Sequence, residues 1–388
     1  MDQSENNQKS EDDNYIEDKE EISLLLQTVP ALNDLFNLHC KVGEGSFSSV
    51  FLATLKSSRD SKKFAIKHLI PTCHPSRIQR EMNCLKKIGG QDHVAGLELC
   101  LRHAGSVVLV MPFMRHDRFM DYVQDMTVEE TKHYMRALLT ALQRVHKFHI
   151  MHRDVKPNNF LYDRPNRRYL LVDFGLAENY KRDLNKSNIK PLTPPVADST
   201  RKKREIEVNK SSPTSLGKLE EKCYCFGKPK VCSLCLIRPA QVAPRAGTPG
   251  FRAPEVLLKH PAQTPAIDIW ASGVILLSIL SATQPFFRSP DDGTALAEII
   301  TIFGSDKIHL CARKLGKKIT IPEQIPPVDI VKLCQKLRDR DKNVKNDEES
   351  SGKSFPLEGF DLLSKLMEVD HRLRITAAEA LKHPFLKL

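Results

Sequence analysis

Apolar positions change their period along the chain. After an acidic start almost free of apolar residues, Glu20 to Phe36 shows apolar residues at helical spacing, broken by Pro30. Strand-like runs follow: HCKVGEGSFSSVFLATL, KKFAIKHLI and the nearly continuous apolar SVVLVMPFM. Between the second and third lies PSRIQREMNCLKKI, which has a helical period. Past Asp117 the pattern is mainly helical, with TVEETKHYMRALLTALQRVHKF amphipathic and IDIWASGVILLSILSA strongly apolar. A strand-rich first third and a helix-rich remainder predict an α+β protein with two lobes, about 36–114 and 115–388, in one domain over 22–388. Residues 1–21 are expected to be a disordered acidic tail, and the polar stretches 179–242 and 338–354 to be inserts.

Composition narrows the class. With 388 residues, 40% of them apolar, the chain suffices for one large two-lobed domain or two modest ones. No apolar run approaches the roughly 20 residues that span a bilayer, and MDQSENNQKSEDD is unlike a signal peptide, so a soluble intracellular protein with no membrane partner is expected. Of ten cysteines, four crowd between positions 223 and 235 and the rest are scattered singly, unlike a disulfide framework. Net charge is +11, but the stretch up to Glu21 holds nine acidic and two basic residues, so the remainder carries +18. Such a body attracts acidic partners, or simply solvates a lysine-rich surface; both readings stay open.

The chemistry lies in spaced motifs. Gly43, Gly45 and Ser48 stand in KVGEGSFSSV between strand-like runs, where small residues let backbone N–H groups approach phosphates. Ser48 replaces the third glycine of the usual G-x-G-x-x-G pattern. Lys67 ends an apolar strand, and Glu81 on the following helix is placed to pair with it and hold its ammonium against ATP phosphates. MHRDVKPNNFL sets His152, Arg153, Asp154, Lys156 and Asn159 in the order H-R-D-x-x-x-x-N, and VDFGLA places Asp173 in D-F-G. At these spacings Asp154 can accept a substrate hydroxyl's hydrogen bond while Asn159 and Asp173 offer oxygens to magnesium.

From about Phe36 to Leu388 the chain therefore resembles the eukaryotic protein kinase superfamily, which implies a bilobal fold and Mg-ATP-dependent phosphoryl transfer. GTPGFRAPEV holds Ala253, Pro254 and Glu255 like that family's A-P-E motif; the resemblance implies that Glu255 pairs with Arg374 and that Asp268 braces the catalytic loop. Lys156 with Thr248 resembles the serine/threonine branch, and since no chemical residue is missing, an inactive scaffold is disfavoured. ATP is expected under Val42, Gly43, Glu44, Gly45, Ser46, Phe47, Ser48, Ser49 and Val50, with Ala65 and Lys67 beside it. Met111, Phe113 and Met114 should lie in the interlobe strand that bonds the adenine, with Met111 guarding the back of the pocket.

Asp173 and Glu255 are 82 positions apart, far more than an ordinary activation segment. A long insert there, with KHLIPTCHPSRIQREMNCL and GGQDHV, is similar to the cell division cycle seven-type kinases, which let replication origins fire, though that family's inserts are usually longer. The resemblance implies a nuclear enzyme, a regulatory subunit like the activator of S-phase kinase, and acidic tails of the minichromosome maintenance helicase as substrates. Arg245 and Arg252 bracket Thr248 and would favour a carboxylate or phosphorylated side chain after the target residue, unless Arg252 pairs with a structural carboxylate. Cys223, Cys225, Cys232 and Cys235 form C-x-C-x6-C-x2-C, suited to one structural zinc and alternatively free thiols. Arg201, Lys202, Lys203 and Arg204 form an import signal or a solvated run, and Thr193-Pro194 and Ser212-Pro213 are phosphorylation sites or loop-starting pairs. A zinc-containing DNA-binding protein is the rival class, but one cysteine knuckle with no recognition helix supports it poorly, and no sequence-specific nucleic-acid binding is expected.

Overall fold

The computed structural model describes residues 17–45, 48–57, 62–69, 75–180, 245–342 and 355–387. They belong to one compact unit, which the sequence leaves at Lys181 and re-enters at Ala243. The four clustered cysteines, the basic run and both Ser/Thr-Pro pairs lie outside the described residues. Among those described, no helix is long and apolar enough to cross a membrane.

In the first lobe, strands β1 (Phe36–Gly45), β2 (Ser48–Leu55), β3 (Lys63–Leu69), β4 (Leu99–His103) and β5 (Ser106–Pro112) form an antiparallel sheet in the order β1-β2-β3-β5-β4. The first predicted run folds back on itself, so that Gly45 faces Ser48. Period-two alternation divides the sheet's faces. Phe51, Phe64, Ile66, Val108 and Val110 pack with Leu25 of helix α1 (17–28), Val29 at the bend and Leu32 of α2 (Pro30–Leu35). On the other face, Leu69, Val107 and Leu109 meet Cys84, Leu85 and Ile88 of α3 (Pro75–Ile88). Helix α1 takes in residues 17–21, which the sequence assigned to the disordered tail. Burial of Leu25, with Val29 and Leu32 just beyond it, anchors this helix, and its Asp18 and Glu21 bond to Lys41. Strand β4 was not foreseen because no side chain in it is fully buried.

The second lobe contains α4 (Phe119–Tyr122), α5 (Val128–Lys147), α6 (Pro254–Leu257), α7 (Ala266–Ser281), α8 (Asp292–Phe303), α9 (Ser305–Lys314), α10 (Ile330–Lys342), α11 (Leu357–Leu366) and α12 (Ala377–Ala380). Thr127 caps α5 by accepting from the Glu130 N–H. Every residue of α7 from Ile267 on is buried, which makes it the post around which the lobe packs. Residues 338–342, expected in a polar insert, are helical instead, because Arg338 Nε donates to the Leu280 carbonyl at 2.7 Å and its guanidinium lies over Phe355. Two short pairings, β6 (Ile150–Met151) with β9 (Glu178–Asn179) and β7 (Phe160–Asp163) with β8 (Arg168–Leu171), carry the H-R-D and D-F-G segments at the lobe's upper edge.

Candidate active site

Alternation along β3 turns Lys67 away from the Phe64–Ile66 face and toward α3. Its Nζ donates to Glu81 Oε1 at 2.6 Å and to Asp173 Oδ1 at 2.8 Å. Burial would lower the Lys67 pKa, but the Glu81 and Asp173 carboxylates outweigh it and raise the value above the ordinary lysine range. For Asp173 burial favours the neutral acid, yet the Lys67 ammonium prevails and holds the pKa at about 2. One turn before Glu81, Arg77 Nε donates to the Gly175 carbonyl at 2.6 Å, tying the same helix to the D-F-G turn.

The H-R-D segment rests on the central helix. Asp268, wholly buried, accepts the His152 and Arg153 N–H groups at 2.8 Å each, with His146 Nε2 2.9 Å away. Burial raises the pKa of Asp268, but His146 and the loop amide bring it below the usual range. Arg153 at φ 71 and Asp173 at φ 64 occupy the left-handed region, a conformation that persists only where surrounding bonds determine it. Asp154 Oδ1 accepts from Thr248 Oγ1 at 2.7 Å, and its Oδ2 from Asn159 Nδ2 and from Lys156 Nζ, both at 3.0 Å. Lys156 Nζ also donates to Thr248 Oγ1 at 2.8 Å. A carboxylate so held can orient an incoming hydroxyl, with the adjacent ammonium available to charge building on a transferred phosphoryl group.

The donor set fits magnesium. The Asn159 amide nitrogen is spent on the Asp154 carbonyl and carboxylate at 2.8 and 3.0 Å, which leaves its amide oxygen as the atom to offer a cation, and Asp173 is held ionised by Lys67. Among the described residues, no group of three or more His, Cys, Asp or Glu is placed to hold a metal.

Gly43 and Gly45 do not owe their lack of a side chain to the fold. A Cβ at either would meet Val50 or Ser48 at an ordinary 3.7 Å. Val42 is exposed, Glu44 is exposed, Ser49, Val50 and Ala65 are half-buried, and Ser46 and Phe47 lie outside the described residues. Ala65 faces Met111 across β3 and β5. The Phe113 N–H donates to the Lys63 carbonyl at 3.1 Å and is therefore not free for a base.

Further down, Glu255 and Arg374 form a two-pronged pair at 2.8 and 3.0 Å, 1% and 0% exposed, with the guanidinium over Trp270. Arg245 and Arg252 do not stand free: both donate to Asp292 at 2.6 Å, and Arg252 also to the Gly247 carbonyl. The structural carboxylate considered for Arg252 alone is thus shared by both. Glu178, which the sequence did not mark, pairs with Arg153. An unpartnered H-R-D arginine asks for such an acid, but Asp292 is reached only through the fold.

This sheet, this central helix and this meeting of Lys67, Glu81, Asp154, Asn159 and Asp173 define a protein kinase. The model of the protein kinase domain family matches residues 36–194 and 233–386. The chain is 34% identical to a non-specific serine/threonine protein kinase Cdc7 of Drosophila melanogaster, over 95% of this chain and 76% of that protein. It is 34% identical to the human cell division cycle 7-related protein kinase, over 95% and 92%, and 33% identical to the cell cycle serine/threonine-protein kinase hsk1 of Schizosaccharomyces pombe, over 96% and 76%. The chain belongs to the Cdc7-type serine/threonine kinases of the protein kinase superfamily, and is an ATP-dependent phosphotransferase.

Proposed function

We propose that this kinase phosphorylates Ser and Thr in acidic contexts, that its substrates are subunits of the minichromosome maintenance helicase, and that it acts in the nucleus to start DNA replication in S phase. In this reading ATP lies under β1 and β2, Lys67 and Glu81 position its phosphates, and Asn159 and Asp173 hold magnesium. Asp154 orients the target hydroxyl, with Lys156 beside it. The observation that carries the acidic preference is the pair of guanidiniums, Arg245 and Arg252, that share the single carboxylate of Asp292 beside Thr248. Arg245 is 57% exposed, so its planar fork can still take a carboxylate or phosphate. Peptides differing only in Asp, phosphoserine, Ala or Lys after the target serine test it. Acid and phosphoserine should rank first, and a flat ranking removes the preference.

Full activity depends on a regulatory subunit resembling the activator of S-phase kinase. Docking of the subunit on the first lobe would hold the Glu81 helix inward, with Glu81 against Lys67. Equal rates for the isolated chain and the complex on helicase tails would refute this. Cys223, Cys225, Cys232 and Cys235 bind one structural zinc as thiolates, which metal analysis should find in the wild type and lose in a Cys232→Ser, Cys235→Ser variant.

A further inference from the structure

Helix α1 precedes the segment matched by the kinase family model, yet it is built into the first lobe through Leu25, with Val29 and Leu32 just beyond it, buried against Phe36, Phe51 and Ile66. That apolar contact settles where the helix lies, independently of its charges. Its first turns then reach β1, which is the edge strand of the sheet among the described residues. Asp18 Oδ2 accepts the Lys41 N–H at 3.1 Å. Here the β1–β2 register breaks: Lys41 faces Phe51 and Gly43 faces Val50, with Val42 passed over. Such an irregularity re-aims the strand that follows it, and that strand is the glycine-rich loop. The Lys41 ammonium lies 2.8 Å from Glu21 Oε1 on α1 and 3.2 Å from Glu44 Oε2, between the two glycines. Its side chain is only 15% exposed, and its hydrogen bond to Glu21 raises its pKa above the ordinary lysine value.

We propose that Lys41 is a positioning residue for ATP. Fastened to α1 by Asp18 and Glu21, it holds Glu44 and hence the glycine-rich loop over the phosphates. It also neutralises a carboxylate that would otherwise repel them. This rests on ATP lying beneath β1 and β2, so the test separates the two claims. Mg-ATP affinity of the full-length wild-type chain, read by displacement of a fluorescent nucleotide, reports on the ATP site; the ratio of variant to wild type reports on the clamp. For Lys41→Met we expect affinity to fall and KM for ATP to rise about fivefold, with kcat changed less than about twofold and the melting temperature kept. Glu21→Gln should give a smaller shift of the same kind, Lys41→Arg should restore wild-type values, and the differences should shrink at high salt. Unchanged affinity in Lys41→Met overturns the proposal. So does a loss of kcat that parallels a fall in melting temperature, since a structural role alone would produce it.

Discussion

The catalytic loop and the strand that leads into the glycine-rich loop are each met by a carboxylate that accepts backbone N–H, but the two carboxylates differ in burial. Asp268 is fully buried on α7 and takes two amides of the H-R-D segment at 2.8 Å. Asp18 is half-buried, near the surface on α1, and takes one, at 3.1 Å. In the interior no water competes, and a lost acceptor strands donors that cost about 1–3 kcal/mol each. At the surface water substitutes readily and salt screens the charges, so such ties contribute tenths of a kcal/mol to about one. One hydrogen-bonding device thus gives a fixed chemical centre where it is buried and an adjustable cover where it is wet. A kinase needs both, because nucleotide must enter and leave while the transfer geometry stays constant.

Breaking the buried side should do the most damage. Glu255→Gln leaves Arg374 charged, buried and short of its partner, and should lower stability by about 3–5 kcal/mol in urea unfolding. A loss under about 1 kcal/mol would mean the pair is not the lock its geometry indicates. Asp268→Asn comes next. Its amide nitrogen would face donors at one of the two N–H groups, so kcat should fall by about 10- to 100-fold, roughly 1.4–2.8 kcal/mol, with KM for ATP changed far less. A shift in KM alone would place the effect in the other loop.

Acid should loosen the buried region next. His260 and His371 lie with ring centroids 5.5 Å apart beside Glu255. Burial lowers both pKa values, with nearby cations adding to it and Glu255 opposing. A histidine whose folded pKa is depressed contributes stability above its unfolded value, about 6.5, and that contribution is lost as pH falls through the folded value. The urea midpoint should therefore drop as pH goes below about 6.5, and a His371→Gln variant should show a flatter profile. Parallel profiles would assign the acid sensitivity elsewhere.

The legible part of this molecule was the part with local signatures. Asp154, Asn159 and Asp173 sit in contiguous motifs, and these motifs gave meaning to Lys67 at a strand end and Glu81 on the next helix, so the residues the fold brings together could be named beforehand. Glu255 with Arg374, 119 positions apart, came only from family resemblance. What stayed hidden depends on tertiary placement. Asp292 resembles any acid at a helix start until the chain carries Arg245 and Arg252 to it. The acidic opening of α1 looked like a tail because its ordering comes from burial of Leu25, Val29 and Leu32 on a sheet far along the chain.

The smallest expected effect concerns Asp292, where buried and exposed ties meet at one carboxylate. Arg252 is 15% exposed and bonded to both Asp292 and the Gly247 carbonyl, so it is fixed; Arg245 is 57% exposed and, among the described residues, is paired with Asp292. Two guanidiniums against one carboxylate leave a net charge of +1 beside Thr248, and Asp292→Asn raises it to +2 while keeping an oxygen that accepts one hydrogen bond. Preference for acid after the target serine should therefore increase, with the Asp-over-Ala ratio in kcat/KM rising about three- to fivefold at low salt and the gain fading as salt is added. Arg245→Ala should move the ratio the other way. A purely structural role for Asp292 would lower kcat/KM for every peptide by the same factor, leaving the ratio unchanged, and that result would remove both arginines from substrate selection.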